Sequence, residues 1–243
     1  MEEMFSRTEL IFGKSAIEKL KKAHIAIFGI GGVGGYVVEA LARSGVEHFT
    51  LVDADKVSTS NINRQIIATQ DSVGKNKVDV MKVRILSINP NADVETKNLF
   101  FLPETENQID FDKFDYIVDA IDTVKAKIRL VEIANEKHIP IISSMGAGNK
   151  INPMGFLVAD INKTEVDPLA KVMRQELRKR GIKHLKVVYS KEKPLKPLES
   201  FGENGRREIS GSNAFVPSAA GLLIASEVVR DLTNDVVREE LKR

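Results

Sequence analysis

The chain alternates between short apolar runs and longer stretches in which apolar residues recur every three or four positions. The first run, His24-Ile25-Ala26-Ile27-Phe28, ends on glycines. Val33, Val37, Ala40 and Leu41 follow at a spacing that gives a helix one apolar face. A second run, His48-Phe49-Thr50-Leu51-Val52, closes on two acids, Asp53 and Asp55. Val78, Met81, Ile85 and Ile88 predict a helix that stops before Asn89-Pro90, with a third strand near residues 92–97. Residues 115–122 (DYIVDAID) and 139–144 (IPIISS) predict a fourth and a fifth strand, on either side of a helix carrying Ile128, Val131 and Ala134. Further on, residues 155–161 (GFLVADI) and 185–190 (LKVVYS) read as two more strands around a helix over 168–180. The polar, turn-rich stretch 191–213 predicts a long mobile loop. A last helix starts near Pro217, with Leu223, Glu227 and Arg230 at helical spacing.

Strands that alternate with helices imply a parallel sheet with right-handed crossovers. Apolar runs without clean in-out alternation suit strands covered on both faces. The expected fold class is therefore α/β: a Rossmann-type, mostly parallel sheet with helices on both faces, extended by C-terminal strands and helices. No linker is strong enough to divide the chain, so 1–243 is expected to be a single domain. Within it, 1–150 form the nucleotide-binding core and 151–243 a substrate and dimer extension that includes loop 191–213.

Composition narrows the class only slightly. Of 243 residues, 42% are hydrophobic and 29% charged, with a net charge of +2, which is ordinary for a globular protein and too mild to announce a nucleic-acid binder. The N-terminal stretch MEEMFSRTEL is acidic and polar, unlike a secretory signal. The best membrane candidate, residues 214–229, is interrupted by Pro217, Ser218, Ser226 and Glu227, short of the roughly 18 apolar residues a span requires. The chain reads as cytoplasmic with no membrane partner. Cysteine is absent, which removes disulfides, a thiolate nucleophile, a thioester and Cys-ligated zinc. His24, His48, His138 and His184 show no metal-ligand spacing.

Between the first strand and its helix lies Gly29-Ile30-Gly31-Gly32-Val33-Gly34. Glycines there permit a tight turn and close approach of phosphates, to which the helix N-terminus offers N–H groups and a positive dipole. Asp53, about 20 residues on, stands where an acid holds ribose hydroxyls. The loop alone does not choose a nucleotide, and an NAD-dependent oxidoreductase would be the default reading. A Walker P-loop is excluded, because Gly13-Lys14-Ser15 has Thr8 in place of the first glycine.

Three more groups shift the reading towards ATP: Ser60-Asn61-Ile62-Asn63-Arg64-Gln65, Gly74-Lys75-Asn76-Lys77 and Asp119-Ala120-Ile121-Asp122. Ligands of an open α/β sheet lie beyond the carboxyl ends of its strands, so these groups are expected to converge on the glycine loop. Attack of a carboxylate on the α-phosphate of ATP develops negative charge that calls for Arg and Lys donors and usually Mg²⁺. Arg64 and Lys77 supply cations, and Asp122 is a suitable magnesium ligand because a hard cation prefers carboxylate oxygen. Hydride transfer has little use for such a set.

The order GxGGxG, D-x-D, SN-x-x-RQ, GK-x-K and D-x-x-D, spread over about residues 7–150, resembles the ubiquitin-activating-enzyme-like superfamily, which includes bacterial activators of sulfur-carrier proteins. The resemblance implies ATP and Mg²⁺ as cofactors. It places Gly32 at the phosphates, Asp53 on the ribose, Asn61, Arg64 and Lys77 on the nucleotide and its phosphates, and Asp122 at the magnesium. Gly29, Gly31, Gly34, Asp55, Gln65 and Thr123 complete the implied nucleotide set. Arg7 matches an N-terminal arginine that in this superfamily reaches the ATP of a partner subunit, which implies a homodimer.

A second set extends the resemblance to nearly the whole chain: residues 143–150 (SSMGAGNK), 158–161 (VADI), Lys163-Thr164, 167–170 (DPLA), 178–181 (RKRG) and 188–190 (VYS). These look like one branch, the tRNA threonylcarbamoyladenosine dehydratases. Without the resemblance, SSMGAGNK reads equally as a structural turn. The branch implies a tRNA partner whose modified adenosine, beside the anticodon, carries a free carboxylate. Adenylation of that carboxylate and closure of a ring would release pyrophosphate and AMP. An intramolecular second nucleophile has a high effective molarity, which can stand in for a catalytic cysteine. Arg174, Arg178, Lys179, Arg180 and Lys183, with only Glu176 opposing them in that stretch, read as a tRNA footprint or a solvated helix face. Lys150 joins them as an expected substrate contact. Lys191, Lys193, Lys196, Arg206 and Arg207 belong to the long loop, which either orders over the nucleoside or is simply disordered. Three other readings stay open: an activator of a small carrier protein within a sulfur relay, the NAD-dependent oxidoreductase, and a nucleotide-sensing module.

Overall fold

A computed structural model of the chain describes residues 3–198 and 210–240. The central part of loop 191–213, with Arg206 and Arg207, lies outside the described residues. Two short helices that the apolar pattern does not announce, α1 (Ser6–Phe12) and α2 (Lys14–Lys22), precede the first strand and are separated by Gly13 at φ 84°. Next come β1 (His24–Phe28), α3 (Gly34–Arg43), β2 (His48–Val52), α4 (Lys77–Ile88), β3 (Asp93–Lys97), β4 (Tyr116–Asp119), α5 (Val124–Lys137) and β5 (Ile141–Ser144). The extension contributes β6 (Phe156–Asp160), α6 (Pro168–Lys179), β7 (Lys186–Ser190) and α7 (Val216–Glu240).

The seven strands form one sheet in the order β3-β2-β1-β4-β5-β7-β6. All neighbours are parallel except β6, which runs antiparallel to β7 along one edge. Because β7 pairs with β5, the residues beyond 150 continue the same sheet. Successive side chains of a strand point to opposite faces, and β1 shows the consequence. Ile25 and Ile27 join a core under α2, α3, α4 and α7, whereas Ala26 and Phe28 enter a second core under α5. In that second core Phe28 meets Phe101 edge-on at 5.0 Å between centroids, and Phe111 stacks on Phe28 at 6.0 Å. A third cluster packs α6 against α5 and β7 through Met173, Leu177, Val131 and Val187.

From β1 the chain moves outward through β2 to β3, then returns to the other side of β1 for β4 and β5. The reversal between β1 and β4 opens a crevice at their carboxyl ends. β4 ends at Asp119, three residues before the expected end; the Ala120 N–H still donates to Phe28 O at 2.8 Å, and the chain then turns with the Ile121 N–H donating to Asp119 Oδ1 at 3.2 Å. Backbone meets backbone at this point: a Cβ on Gly29 (φ +91°) would lie 2.6 Å from Ala120 O, and one on Gly34 would lie 1.8 Å from Gly29 O. α7 crosses above the same region. Its Gly221 allows the helix to sit on α3, where a Cβ would come within 2.4 Å of Val33 O.

That contact yields a stability prediction. Gly221→Ala forces α7 off the start of α3, and overpacking of this kind typically costs about 1–3 kcal/mol. The urea midpoint is expected to fall with an unchanged slope; a midpoint equal to the unsubstituted protein would show that α7 yields without strain.

Candidate active site

The crevice at the switch point is a cleft of about 380 Å³. One end is apolar, lined by Val52, Leu99, Phe101 and Ile121. The middle is walled by Gly29, Gly31 and Gly32 of the glycine loop, facing Asp53, Asp55 and Lys77. Asn61, Arg64, Gln65, Ala147, Gly148 and the returning segment of the long loop, Ser210 to Ser212, complete the lining. The groups expected to converge on the glycine loop do so.

Asp53 holds the loop as well as facing the cleft. Its Oδ2 accepts from the Ile30 N–H at 2.7 Å and its Oδ1 from the Asp55 N–H at 2.8 Å. Burial pushes the Asp53 carboxyl above the usual range, while the Lys77 ammonium and the N–H donors of Asp55 and Ile30 pull the other way. Donation by ribose hydroxyls would further favour the charged form. Lys77, at the start of α4, is buried and donates to Asp55 Oδ2 at 2.7 Å, with Asp53 Oδ1 at 3.9 Å. The expected phosphate cation is thus already paired in this state, and phosphate would share or displace Asp55.

Arg64 presents a different picture. Its Nη1 donates to Ser60 O at 2.8 Å and Asn63 Oδ1 at 2.9 Å, and no other acceptor among the described residues holds the guanidinium. Gln65 is buried, and its Oε1 has no hydrogen-bond partner. A buried acceptor left unpaired costs about 1–3 kcal/mol, a cost that this residue beside the cleft carries. No side chain caps α3; the Gly35 and Tyr36 N–H groups already donate to Gly31 O and Val33 O, so an anion would meet the N–H groups that precede them. Asp122 is exposed at the cleft, in contact only with Thr123 Oγ1 at 3.3 Å among the described residues. No group of three acidic or histidine side chains among those residues is placed to hold a metal ion. A cation at Asp122 would take its remaining ligands from phosphate and water.

Beneath the cleft lies an ion pair that the motifs do not reveal. Lys127 of α5 and Asp119 at the end of β4 meet at 2.9 Å, both fully buried. Lys127 also donates to Ile121 O at 3.1 Å and Ser144 O at 2.8 Å, and Ser143 Oγ donates to Asp119 Oδ2 at 2.5 Å. The pair ties the loop that carries Asp122 to the turn at Gly146–Gly148. A signal was present in the sequence: Lys127 falls on the apolar face set by Val124, Ile128 and Val131.

The other expected residues lie elsewhere. Gly34 acts under the loop, Thr123 precedes α5, and Arg7 is exposed on α1; none of the three lines the cleft of its own chain. The basic footprint needs correction. Lys150 is buried, donating to Gly146 O at 2.9 Å with Asp167 Oδ2 at 3.7 Å. Arg174 turns inward to Thr164 O at 3.1 Å and Thr164 Oγ1 at 2.5 Å. Lys179 pairs with Glu176 at 2.6 Å, and Arg180 with Glu176 and, from α5, Glu132, both at 2.8 Å. Of the cations in that stretch, Arg178 and Lys183 are exposed with no side-chain partner among the described residues. The sequence spacing showed Glu176 but not Glu132, which folding brings alongside. No helix among the described residues is long and apolar enough to cross a membrane.

Residues 5–242 match the ThiF family. The chain belongs to that family. Among its ThiF relatives, the tRNA threonylcarbamoyladenosine dehydratase of Bacillus subtilis is 45% identical over 257 residues, an alignment covering 100% of this chain and 98% of the relative. The tRNA N6-threonylcarbamoyladenosine dehydratase of Escherichia coli, whose structures include complexes with AMP and with ATP, superposes with a TM-score of 0.88 at 33% identity, covering 97% of this chain and 96% of that one. The ThiF-type Rossmann sheet expected from the strand pattern is the observed one.

Lys127→Met leaves the Asp119 carboxylate buried and unpaired, and is expected to cost about 3–5 kcal/mol by chemical denaturation. Lys179→Ala, which removes an exposed pair, is expected to change stability by less than about 1 kcal/mol. Equal costs for the two would contradict the assignment of Lys127 as the anchor of the cleft floor.

Proposed function

We propose that this chain is an ATP-dependent tRNA threonylcarbamoyladenosine dehydratase. The observation that carries the reading is the extent of the likeness: identity to the B. subtilis enzyme spans both chains almost end to end, through the extension that walls the substrate side of the cleft. The apolar slot of Val52, Leu99, Phe101 and Ile121 suits adenine, and Asp53 beyond it suits the ribose. The glycine loop, the start of α3 and the donors of Arg64 suit the phosphates.

The carboxylate of the threonylcarbamoyl side chain attacks the α-phosphorus of ATP, a P–O bond breaks, and pyrophosphate leaves. Arg64 is the first cation to meet the charge that develops, because part of its guanidinium is unused; Lys77 follows if phosphate draws it from Asp55. Asp122 is the residue to hold Mg²⁺, which would neutralise the leaving pyrophosphate. A nucleophile within the same side chain then attacks the activated carbonyl and expels AMP, so the nucleoside loses one water overall. No enzyme nucleophile is needed, which agrees with a chain that has no cysteine. The reading includes a homodimer in which Arg7 of one protomer reaches the nucleotide of its partner.

Mass analysis of nucleosides from threonylcarbamoyl-modified tRNA, incubated with the protein and Mg-ATP, is expected to show an ATP-dependent loss of one water with release of AMP. Stimulation of ATP–pyrophosphate exchange by a Gly-Gly-ended carrier protein but not by the tRNA would move the assignment to a carrier-protein activator. Arg64→Ala and Asp122→Ala are each expected to lower the rate by about 10²–10³ with an unchanged melting temperature. Full activity in both would remove these residues from the site.

A further inference from the structure

Asn63 sits between two groups that line the cleft and does not line it itself. Its Oδ1 accepts from Arg64 Nη1 at 2.9 Å and its Nδ2 donates to Ser212 O at 3.0 Å. The chemistry fixes this orientation, because a guanidinium only donates and a carbonyl only accepts. Arg64 lines the cleft, and so does Ser212, which belongs to the strap 210–213.

The strap is pinned at its other side as well. Gly211 N–H donates to Asn149 Oδ1 at 2.6 Å, Asn149 N–H donates to Gly211 O at 2.8 Å, and Asn213 Nδ2 donates to Lys150 O at 2.8 Å. Lys150 in turn is anchored to Gly146 O and Asp167. The wall beside the substrate is therefore fixed to the sheet end on one side and, through a single exposed amide, to the phosphate-side arginine on the other. With Ser60 O, Asn63 occupies Nη1 of Arg64 and leaves Nε and Nη2 to face a ligand.

We propose that Asn63 is a positioning residue that ties Arg64 to the strap 210–213, so that the cation aimed at the α-phosphate and the wall that bears on the substrate carboxylate keep one geometry. The inference rests on the dehydratase reading for the identity of the substrate. An acceptor and a donor at fixed separation are both required, which asparagine supplies and alanine does not. Misplacing a reacting group by about 1 Å can cost about 100-fold in rate, so loss of the tie should appear in turnover more than in nucleotide affinity.

The test is a double-mutant cycle on the full chain with modified tRNA as substrate, reading single-turnover AMP formation at saturating ATP and, separately, ATP affinity. Asn63→Ala is expected to slow AMP formation by about 10- to 100-fold while ATP affinity changes by less than about threefold and the melting temperature holds. In the Arg64→Ala background, adding Asn63→Ala is expected to cost less than about twofold, because the tie has nothing left to position. A wild-type rate in Asn63→Ala, a loss confined to ATP affinity, or losses that multiply in the double variant would each overturn the proposal. An unsubstituted protein that leaves the modified nucleoside unchanged would instead overturn the dehydratase reading, whatever the variants do.

Discussion

At the centre of the molecule two backbones touch where no side chain fits. The end of β1 turns at Gly29 directly against Ala120, and Gly34 closes the loop onto the Gly29 carbonyl. Only this absence of side chains lets the strand order reverse between β1 and β4 without filling the crevice it creates. The cleft, the start of α3 and the approach of Asp53 to the Ile30 N–H all follow from that contact. Rigidity below comes from the opposite kind of interaction, a fully buried charge pair between Lys127 and Asp119. A steric constraint shapes the mouth and an electrostatic one holds the floor.

Much of this was legible in the residues. All seven strands and the five longer helices were legible in the sequence, because the inner strands are covered on both faces and the helices present apolar stripes to the sheet. The motif groups converge because the parallel sheet sends the carboxyl ends of its strands to one side. What the pattern hid has physical causes. α1 and α2 are short, and the stripe of Ile17 and Leu20 on α2 answers to α7, a partner remote in sequence. Lys127 was hidden because a lysine on an apolar helix face looks like noise until its acid is found at the end of the preceding strand. The basic stretch of α6 looked available because Glu132, which neutralises Arg180, lies on another helix.

The site also shows how one fold can manage without a covalent intermediate. Its charged groups are arranged around a nucleotide, and one wall is made largely of backbone and small polar side chains: Ala147, Gly148, Ser210, Gly211 and Ser212. Such a wall offers shape and hydrogen bonds but no thiol, which suits a substrate that carries its own nucleophile. Lys150, expected as a substrate contact, instead braces this wall from within, and Arg174 turns to Thr164.

Pro217 opens α7 close enough to the glycine loop that a Cβ on Gly32 would lie 3.2 Å from its ring, and the strap 210–213 arrives just before it. The cleft is thus assembled from segments almost 190 residues apart (217 − 29 = 188). During synthesis the glycine loop, Asp53, Arg64 and Asp122 leave the ribosome early and wait beside an unfinished surface. Nucleotide can be enclosed only after the strap and α7 have emerged, so the order of translation withholds a finished adenylation site from a chain that is only half made.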